Sequence, residues 1–387
     1  MPTSIRYQIG DKITLEEALD FSLELAARGL GLVEPNPCVG SVLFNEETGE
    51  LVSFGYHQKY GGPHAEVECL KDIESAAGLT LIVTLEPCSH YGKTPPCADL
   101  IVLKKPKKLI YMSKDPNPLV SGKGIFKIKE AGIEVEQTGN KYFDLNRKLN
   151  HKFFYTFQNQ RAYVHLKWAE SADGKTAVTE GSSWITSAES QEHSHFLRAQ
   201  SQAVLIGRGT LELDDPSLNV RKQGYEQALK VFIFDPDLKS LSEADSKKIS
   251  QVRPKKDVVF LCKEPPAGPS EYSFLKLHEN LEGEWNLNRL ARDLYTECGI
   301  QSIFVEGGAY TISQFLKQNV YNRTSVYRSP NPLGSRGRLS IAEIVKDKAE
   351  DFFAKDAAVL LDVALDYFLG VNSNDLSTDT LEDSFFD

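Results

Sequence analysis

The sequence contains no apolar run long enough to cross a bilayer, and its first residues, MPTSIRYQIG, lack the basic and then apolar pattern of a secretory signal peptide. Neither a membrane protein nor a secreted protein is therefore expected. Cysteine is also scarce, with six among 387 residues, which excludes a scaffold held together by disulfides. Together these absences favour a reducing compartment, and the cytoplasm is the expected location.

Basic residues are outnumbered by acidic ones, and the formal net charge at pH 7 is −10. Such a chain is not expected to bind nucleic acid or anionic membranes broadly, although a local basic pocket could hold one phosphate. What the sequence does contain is an ordinary globular composition, with 41% apolar and 25% charged residues. Its length suffices for two or three domains with hydrophobic cores of their own.

Helices and strands alternate through the first part of the chain. Residues 14–28 have apolar side chains at helical spacing and a threonine at the N-cap position. After this helix the hydrophobic pattern predicts, in order, strands at 39–44 and 50–56, a helix at 64–73, a strand at 79–85, a helix at 97–103, and strands at 107–113 and 133–136. The alternation predicts a three-layer α/β/α domain that ends near residues 145–155.

A second alternating series begins at Ala162 with AYVHLKWA and continues through QAVLIGRGT, LKVFIFD, DVVFLC and SIFVEGG. We therefore predict two α/β domains, one over residues 1–152 and the other over residues 153–387. The last sixteen residues, 372–387, contain five acids and no base, and we expect a weakly ordered tail there.

Four residues of the first domain have the types and the order that zinc deaminases use. His64 and Glu66 lie at the start of a predicted helix, Cys88 follows a predicted strand and a proline, and Cys97 begins the next helix. One imidazole and two thiolates hold zinc and leave a fourth position for water, whose pKa zinc lowers to about 7. Glu66 is then the group that moves protons. Taken separately, the two parts of this set have simpler explanations. A lone cysteine is usually a core residue, and a His-x-Glu sequence arises by chance.

Eight residues separate the two cysteines in EPCSHYGKTPPC, whereas common cytidine-type deaminases have a much shorter spacing. This insert, together with HAEV, NPCVG and DPNP, resembles the bifunctional riboflavin-biosynthesis deaminase/reductase family over residues 13–157. The resemblance implies a cytidine-deaminase-like domain in which the pyrimidine or its ribose phosphate is contacted by Asn36, His57, His90 and Lys93. The simpler interpretation makes Asn36 a turn residue and Lys93 a solvated side chain.

The second domain carries the motifs of the same family's reductase half. LKWAESADGKTA at 166–177 and WITS at 184–187 are followed by LRAQSQAVLIGRGT, DDPSLNVR and FVEGG, in the order that the family has. The resemblance implies a dihydrofolate-reductase-like α/β fold that binds NADPH. Glycine turns at helix N-termini, as in GRGT and EGGAYT after apolar strands, are suited to binding cofactor phosphates.

By the same resemblance the reductase residues divide into two groups. Those expected to line the NADPH site are Ala169, Trp184, Thr210, Asp214, Gly308, Ala309, Tyr310, Thr311, Ile312 and Ser313. Those expected to contact the substrate are Lys167, Ser182, Arg198, Leu218, Arg221 and Glu306. The two arginines would grip the phosphate, and Lys167 and Glu306 would orient the sugar or handle its proton. The simpler alternatives are a core aromatic for Trp184 and a solvated side chain for Arg221.

One stretch, residues 319–345, departs from the family pattern. Asn322 and Arg323 replace an acidic pair, and Arg328, Arg336 and Arg338 add positive charge. In the family this area contributes to pairing between subunits. The resemblance therefore implies a homo-oligomer formed through the reductase domain, and this segment is where its assembly could differ. KDAAVLLDV, further on, resembles the family's closing strand.

The resulting hypothesis is a cytosolic two-step enzyme with one zinc ion and NADPH as cofactors. The first domain would remove the 2-amino group of 2,5-diamino-6-ribosylamino-4(3H)-pyrimidinone 5′-phosphate, and the second would reduce the product's ribosyl group to ribityl. The expected partner is this small phosphorylated pyrimidine, with no nucleic acid and no membrane. One alternative is a nucleic-acid or free-base zinc deaminase fused to an inactive nucleotide-binding domain, which the acidity opposes. Another is a structural zinc beside a nucleotide-sensing domain, which would have no use for Glu66.

Overall fold

The computed structural model describes residues 5–89, 95–118, 120–178 and 188–341. The predictions at His90, Lys93, Ser182 and Trp184, the closing strand in KDAAVLLDV and the acidic tail lie outside the described residues. The chain divides into two compact units, the first extending to Gln158 and the second beginning at Asn159. No helix within the described ranges is long and apolar enough to cross a membrane.

The first unit alternates helices and strands around one sheet. In chain order its elements are α1 (Leu15–Ala27), β1 (Gly40–Phe44), β2 (Leu51–Tyr56), α2 (Ala65–Leu70), β3 (Thr80–Leu85), α3 (Cys97–Lys104), β4 (Lys108–Ser113), α4 (Lys123–Glu130), β5 (Glu134–Gln137), α5 (Asn140–Leu149) and α6 (His151–Asn159). The sheet order is β2-β1-β3-β4-β5, in which β1 is antiparallel to β2 and β3 and the other pairs are parallel.

Helices cover both faces of this sheet. Thr14 caps α1 as predicted, because its hydroxyl accepts a hydrogen bond from Glu17 N (3.2 Å) while the Glu17 carboxylate accepts one from Thr14 N (2.8 Å). On the α1 face, the Phe21 and Phe54 rings meet edge-on at 5.3 Å. On the opposite face, a Cβ added to Gly55 would lie 2.5 Å from the backbone of α2. The predicted three-layer α/β/α arrangement is thus confirmed.

The sequence pattern does not identify α4, α5 or α6. In α4, KGIFKIKE, the apolar residues are so closely spaced that a short strand would fit them as well as a helix. The helix begins after Gly122, whose φ of 80° suits a residue without a side chain. Ile125 and Ile128 are buried on its inner side, whereas Phe126 is 62% exposed.

The second unit has a longer series of elements. In chain order they are β6 (Tyr163–Glu170), β7 (Lys175–Val178), α7 (Ala188–Ala199), β8 (Ala203–Gly207), α8 (Arg208–Asp214), β9 (Asn219–Val220), β10 (Gln227–Ala228), β11 (Lys230–Phe234), α9 (Lys248–Gln251), β12 (Val258–Cys262), β13 (Ser273–Lys276), α10 (Leu287–Thr296), β14 (Ser302–Glu306), α11 (Ala309–Lys317), β15 (Arg323–Arg328) and β16 (Gly337–Ser340).

The main sheet of this unit is parallel throughout. Its order is β13-β12-β11-β8-β14-β6-β15, while β9 pairs with β10 and β7 with β16 in small antiparallel ribbons. The five strands predicted from the second apolar series are confirmed as β6, β8, β11, β12 and β14. Because parallel strands end at the same edge, the glycine turns after β8 and β14 are brought together.

The atypical segment after residue 319 supplies the edge strand β15. Asn322, which replaces an acidic residue of the family pattern, pairs with Val164 through both backbone and side chain. Its Oδ1 accepts a hydrogen bond from Val164 N (2.9 Å), and its N–H donates to Val164 O (2.8 Å). These two hydrogen bonds of Asn322 therefore fix the register of β15 on β6.

Candidate active sites

The three predicted zinc ligands meet at one end of the first sheet. His64 is the N-cap residue of α2, Cys88 follows β3, and Cys97 is the first residue of α3. His64 Nδ1 lies 3.6 Å from Cys88 Sγ and 3.3 Å from Cys97 Sγ. The long spacing between the cysteines is compatible with this closeness because they belong to different elements.

The geometry fits a tetrahedral zinc ion. Zinc–sulfur and zinc–nitrogen bonds of about 2.3 and 2.0 Å at tetrahedral angles place a sulfur and a nitrogen about 3.5 Å apart. The observed separations match this value, and the three ligand atoms all lie within 4.8 Å of one another. A set of one imidazole and two thiols is also a usual zinc donor set.

The thiols of the two cysteines are electrostatically distinct. A hydrogen bond from Cys97 lowers the pKa of Cys88 to about 4, and His64 acts in the same direction. The shared hydrogen bond raises the pKa of Cys97, and burial adds to that effect. One thiolate is therefore available before metal binding, and the bound cation would displace the proton of the second thiol.

Glu66 lies in the first turn of α2 beside the metal ligands and is 4% exposed. Burial raises the pKa of Glu66 to about 7, and the neighbouring Cys88 thiolate adds to the rise. A zinc ion in the site would pull this pKa downward by Coulomb attraction. The carboxyl group is thus buried beside the predicted metal ligands, where a general acid–base residue for a metal-bound water must lie.

Asn36 and His57 form a second polar pair next to the metal ligands. The carbonyl oxygen of Pro63 can only accept, so the 2.8 Å contact to His57 Nδ1 places the proton on that nitrogen. His57 Nε2 then accepts from Asn36 Nδ2 at 3.1 Å. Burial lowers the pKa of His57, which agrees with a neutral ring. The ring lies edge-on to His64, with centroids 5.6 Å apart.

In the second unit, the glycine turns after β8 and β14 adjoin each other. Gly308 N donates to Thr210 Oγ1 at 3.2 Å, which links the two turns. A Cβ on Gly207 would lie 2.3 Å from Thr311 Oγ1, and one on Gly307 would lie 2.8 Å from Thr311 Cβ. A side chain at either glycine would therefore collide with Thr311, so both positions require glycine.

The other residues predicted for the NADPH site differ in exposure. Tyr310 is 61% exposed, and Asp214 ends α8 at the surface. Ala309, Ile312 and Ser313 are buried within α11. Ala169 lies on β6 and is half-buried.

Lys167, Arg198 and Glu306 form a buried charged cluster. Lys167 and Glu306 are directly opposite each other on β6 and β14. Burial alone would raise the pKa of Glu306, but the charges of Arg198 and Lys167 outweigh it and hold the pKa below its usual value. Burial lowers the pKa of Lys167. The Lys167 ammonium also lies 5.2 Å from the centre of the Tyr327 ring.

The guanidinium of Arg198 faces Glu306. Its Nε and Nη2 donate to the two carboxylate oxygens of Glu306 at 2.5 and 2.9 Å, and its Nη1 donates to Asn219 O at 2.7 Å. Arg221, in contrast, is exposed and uses only Nη1 in its side-chain hydrogen bonds, to Ser217 and Asn219. Of the two predicted phosphate ligands, Arg221 is thus the more accessible.

Two residues of this region were not among the sequence predictions. His195 Nδ1 accepts a hydrogen bond from Arg221 N at 3.3 Å and lies 3.4 Å from Arg198 Nη1. Burial lowers the pKa of His195 to about 4, with help from both arginines, so the ring is neutral. Tyr327, whose hydroxyl lies 2.9 Å from His193 Nδ1, is the other. His195 lies three residues before Arg198 on α7, and this spacing is the sequence signal that could have indicated its position.

Leu218 precedes the short strand β9 and is only 5% exposed, with a φ of 49°. This left-handed backbone turns the chain between α8 and the position of Arg221. A positive φ is unusual for a residue with a branched side chain, and it marks a tightly constrained turn.

Comparison with known proteins agrees with this architecture. The sequence-family model of the cytidine and deoxycytidylate deaminase zinc-binding region matches residues 13–113. The family model of the RibD C-terminal domain matches residues 162–351. The riboflavin biosynthesis protein RibD of Aquifex aeolicus is 40% identical over 337 residues, which cover 84% of this chain and 90% of that protein. The RibD of Escherichia coli is 33% identical over 334 residues, covering 82% and 88%.

Solved structures give the same result. RibD of Acinetobacter baumannii has a TM-score of 0.72 at 34% identity, covering 84% of this chain and 89% of that one. A diaminohydroxyphosphoribosylaminopyrimidine deaminase/5-amino-6-(5-phosphoribosylamino)uracil reductase from Thermotoga maritima has a TM-score of 0.71 at 33% identity, covering 85% and 90%. The resemblance stated from the motifs is confirmed: the chain belongs to the RibD family, and it is a bifunctional enzyme of riboflavin biosynthesis with a zinc-dependent deaminase and an NADPH-dependent reductase.

Proposed function

We propose that the first unit hydrolytically deaminates 2,5-diamino-6-ribosylamino-4(3H)-pyrimidinone 5′-phosphate at its 2-amino group, and that the second reduces the product's ribosyl group to ribityl with NADPH. The observation that carries the proposal is the metal trio with a buried Glu66 in the same chain as the Lys167–Glu306–Arg198 cluster. The name of the Thermotoga maritima relative, which contains both activities, supports it.

In the deaminase unit, His64, Cys88 and Cys97 would hold a zinc ion, and the bound ion would supply a Lewis acid that makes water nucleophilic near neutral pH. Glu66 would take one proton from the attacking water and deliver it to the ring nitrogen, and it would then take the second proton from the new hydroxyl group and deliver it to the departing amine. The water oxygen bonds to the ring carbon, the bond from that carbon to the amine breaks, and ammonia leaves. Because Glu66 is buried, bulk water does not compete for its proton.

Asn36 and His57 orient the pyrimidine in this proposal. His57 is held neutral, with its Nδ1–H donated to Pro63 O, so it presents a fixed acceptor to Asn36 Nδ2. The Asn36 amide is thereby oriented, and its carbonyl oxygen can accept a hydrogen bond from the substrate. His90 and Lys93 are proposed to contact the ribose phosphate.

In the reductase unit, bound NADPH would supply hydride to C1′ of the ribosyl group, and the ring oxygen released from C1′ would receive a proton. Glu306 stays ionised because Arg198 and Lys167 stabilise its charge, so it can accept a hydrogen bond from a sugar hydroxyl. Lys167, whose pKa is lowered, is the better proton donor of the two. Ser182 and Leu218 complete the proposed substrate contacts.

Arg221 is proposed as the main phosphate ligand of the reductase unit, because its guanidinium is exposed. The prediction that Arg198 also binds the phosphate stays a prediction. For its Nε and Nη2 to do so, Glu306 would first have to give up its two hydrogen bonds. NADPH is proposed to lie over the turns at Gly207 and Gly308, with its remaining contacts at Ala169, Trp184, Thr210, Asp214 and residues 309–313.

We further propose that the protein works in the cytoplasm on this small phosphorylated pyrimidine and does not bind nucleic acid, in accord with its net charge of −10. A homo-oligomer formed through the reductase domain is also proposed, and analytical ultracentrifugation would measure it.

The experiment that tests the function is an assay of both half-reactions on the purified chain. Mass spectrometry should show replacement of the amino group by oxygen, and NADPH oxidation should require the deaminated product. An Arg221→Ala variant should raise the reductase KM and leave deamination unchanged, with Lys222→Ala as the neighbouring cationic control. Oxidation of NADPH with the undeaminated substrate, at a rate equal to that with the deaminated one, would contradict the proposed order of steps.

A further inference from the structure

The loop that carries Asn36 is anchored by residues that do not belong to the first sheet. Residues 34–39, which we call the substrate loop, contain Cys38, a residue only 5% exposed. Cys38 precedes the first paired residue of β1, Gly40, so the sheet ladder does not serve its backbone N–H and C=O groups. A buried backbone group left without a partner is destabilising, because it has given up its hydrogen bonds to water. These groups therefore need partners from elsewhere.

Asn150, at the junction of α5 and α6, satisfies both groups. Its Oδ1 accepts from Cys38 N at 2.7 Å, and its Nδ2 donates to Cys38 O at 3.0 Å. The second Nδ2 hydrogen is directed to Asn146 Oδ1, also at 3.0 Å. Asn150 is itself 5% exposed, so water cannot easily replace these bonds. The side-chain amide acts on Cys38 as a neighbouring strand would.

A second contact from the same junction reaches the other end of the loop. Lys152 Nζ lies 3.8 Å from Glu34 Oε1, and the two side chains are 9% and 20% exposed. Burial raises the pKa of Glu34, and the Lys152 ammonium opposes that rise. The junction thus contacts the substrate loop on both sides of Asn36, at Glu34 and at Cys38.

We propose that Asn150 is a positioning residue of the deaminase: by fixing the backbone of Cys38, it keeps Asn36 in place against His57. Asn36 is two residues from Cys38, and Asn36 Nδ2 donates to His57 Nε2 at 3.1 Å. His57 N in turn donates to Val39 O at 2.9 Å, which ties the loop to the same histidine. The inference rests on the proposed function, because it assumes that Asn36 binds the substrate.

This inference extends the deaminase site beyond the zinc-binding region that matches other deaminases, since that match ends at residue 113. The contact spans 112 residues of sequence. Loss of Asn150 should weaken the contact between Asn36 and the pyrimidine, which is expected to be equally strong in the substrate complex and in the transition state. The deaminase KM should therefore rise while kcat changes little.

The test uses the full chain, and the reductase half-reaction serves as an internal control for folding. Asn150→Asp keeps the size of the side chain but replaces both N–H donors by an acceptor that faces Cys38 O. We expect its deaminase KM to rise about tenfold or more, with kcat within about threefold of the parent and an unchanged reductase rate. Zinc content, measured by atomic absorption, should stay at one per chain. Asn140→Asp, an exposed change on the same helix, should leave the deaminase KM unchanged.

An Asn36→Ala variant and the Asn36→Ala/Asn150→Asp double variant make the result decisive. If Asn150 acts through Asn36, the double variant should have the KM of Asn36→Ala alone, because the two changes remove one interaction. Additive effects, or loss of zinc from an Asn150→Asp protein that keeps its reductase rate, would overturn the inference. If Asn150→Asp does not fold, Asn150→Ser, which removes the long amide without adding charge, gives the same comparison. If the KM of Asn36→Ala is unchanged, the proposed role of Asn36 is wrong, and the inference fails with it. If the KM of Asn36→Ala rises but that of the Asn150 variants does not, the inference alone is contradicted.

Discussion

Arg198 and Glu306 form a two-point ion pair in the reductase unit, with Arg198 Nε donating to Glu306 Oε1 at 2.5 Å and Nη2 to Oε2 at 2.9 Å. Their side chains are only 10% and 12% exposed. Parallel hydrogen bonds of this kind define the orientation of a carboxylate as well as its charge. The pair therefore presents Glu306 to Lys167, its neighbour on β6, in one orientation.

The first prediction concerns this pair. Arg198→Ala should destabilise the second unit by about 3–5 kcal/mol, because it leaves Glu306 buried without its main partner. Replacing both residues, as Arg198→Leu/Glu306→Leu, should recover most of the stability, since no buried charge is then left alone. Urea unfolding measures the stability, and the NADPH oxidation rate measures the activity. Activity should be absent from the double variant, and a double variant less stable than Arg198→Ala would refute this account.

The second prediction is the response of the same pair to acid. The pKa of Glu306 is lower in the folded protein than its ordinary value of 4.5, because Arg198 and Lys167 outweigh burial. Its stabilising contribution is therefore complete above pH 4.5 and is lost as pH falls through the lowered pKa. The melting temperature of the parent protein should fall toward that of Glu306→Gln as the pH is taken from 6 to about 3. A difference between the two that stays constant over this range would contradict the lowered pKa.

How far the sequence predicts these features depends on the distance between the partners along the chain. His64, Glu66, Cys88 and Cys97 could be predicted because each stands at a helix start or strand end, in an order that has a chemical explanation. The partner of Arg198 is 108 residues away, and no local pattern indicates that the guanidinium faces a carboxylate. The motif therefore identifies the residue, but tertiary structure sets its partner.

The same limit applies to the substrate loop and to the atypical segment. NPCVG predicts a loop that contacts the substrate, but the attachment of this loop to Asn150 depends on α5 and α6, which the apolar pattern does not reveal. Asn322 departs from the family pattern, yet it aligns β15 on β6 because its side-chain oxygen accepts from Val164 N while its backbone N–H donates to Val164 O. Elements dominated by strong local periodicity are predictable, whereas those held by single long-range polar contacts are not.

The third prediction separates binding from chemistry in the deaminase. Glu66→Gln retains the size of the side chain but cannot transfer protons. Turnover should fall by about 10²-fold or more, the scale that general acid–base catalysis supplies, while zinc content and substrate KM stay near their normal values. Glu68→Gln, on the same helix and closer to the surface, is the matched control. Near-normal turnover in Glu66→Gln would show that another group carries the proton.

The fourth prediction concerns the metal. Cys88→Ser should lose zinc and deamination together, because a serine hydroxyl is not ionised at neutral pH and is a far weaker zinc ligand than the Cys88 thiol, whose pKa is about 4. Cys69→Ser, at a buried cysteine outside the metal trio, should retain zinc. Metal content by mass spectrometry measures both variants. Full zinc occupancy in Cys88→Ser would require a different set of ligands.

The last prediction tests whether the two activities are chemically independent. The zinc ligands all belong to the first unit, and the residues of the charged cluster, Lys167, Arg198 and Glu306, belong to the second. Chelation of zinc should therefore abolish deamination and leave reduction of supplied deaminated intermediate largely intact. Restoring zinc should recover deamination, which separates metal loss from damage by the chelator. Circular dichroism provides the control for folding. Loss of reduction in a chelated protein that keeps its native spectrum would mean that the metal site stabilises or regulates the reductase, contrary to two independent units.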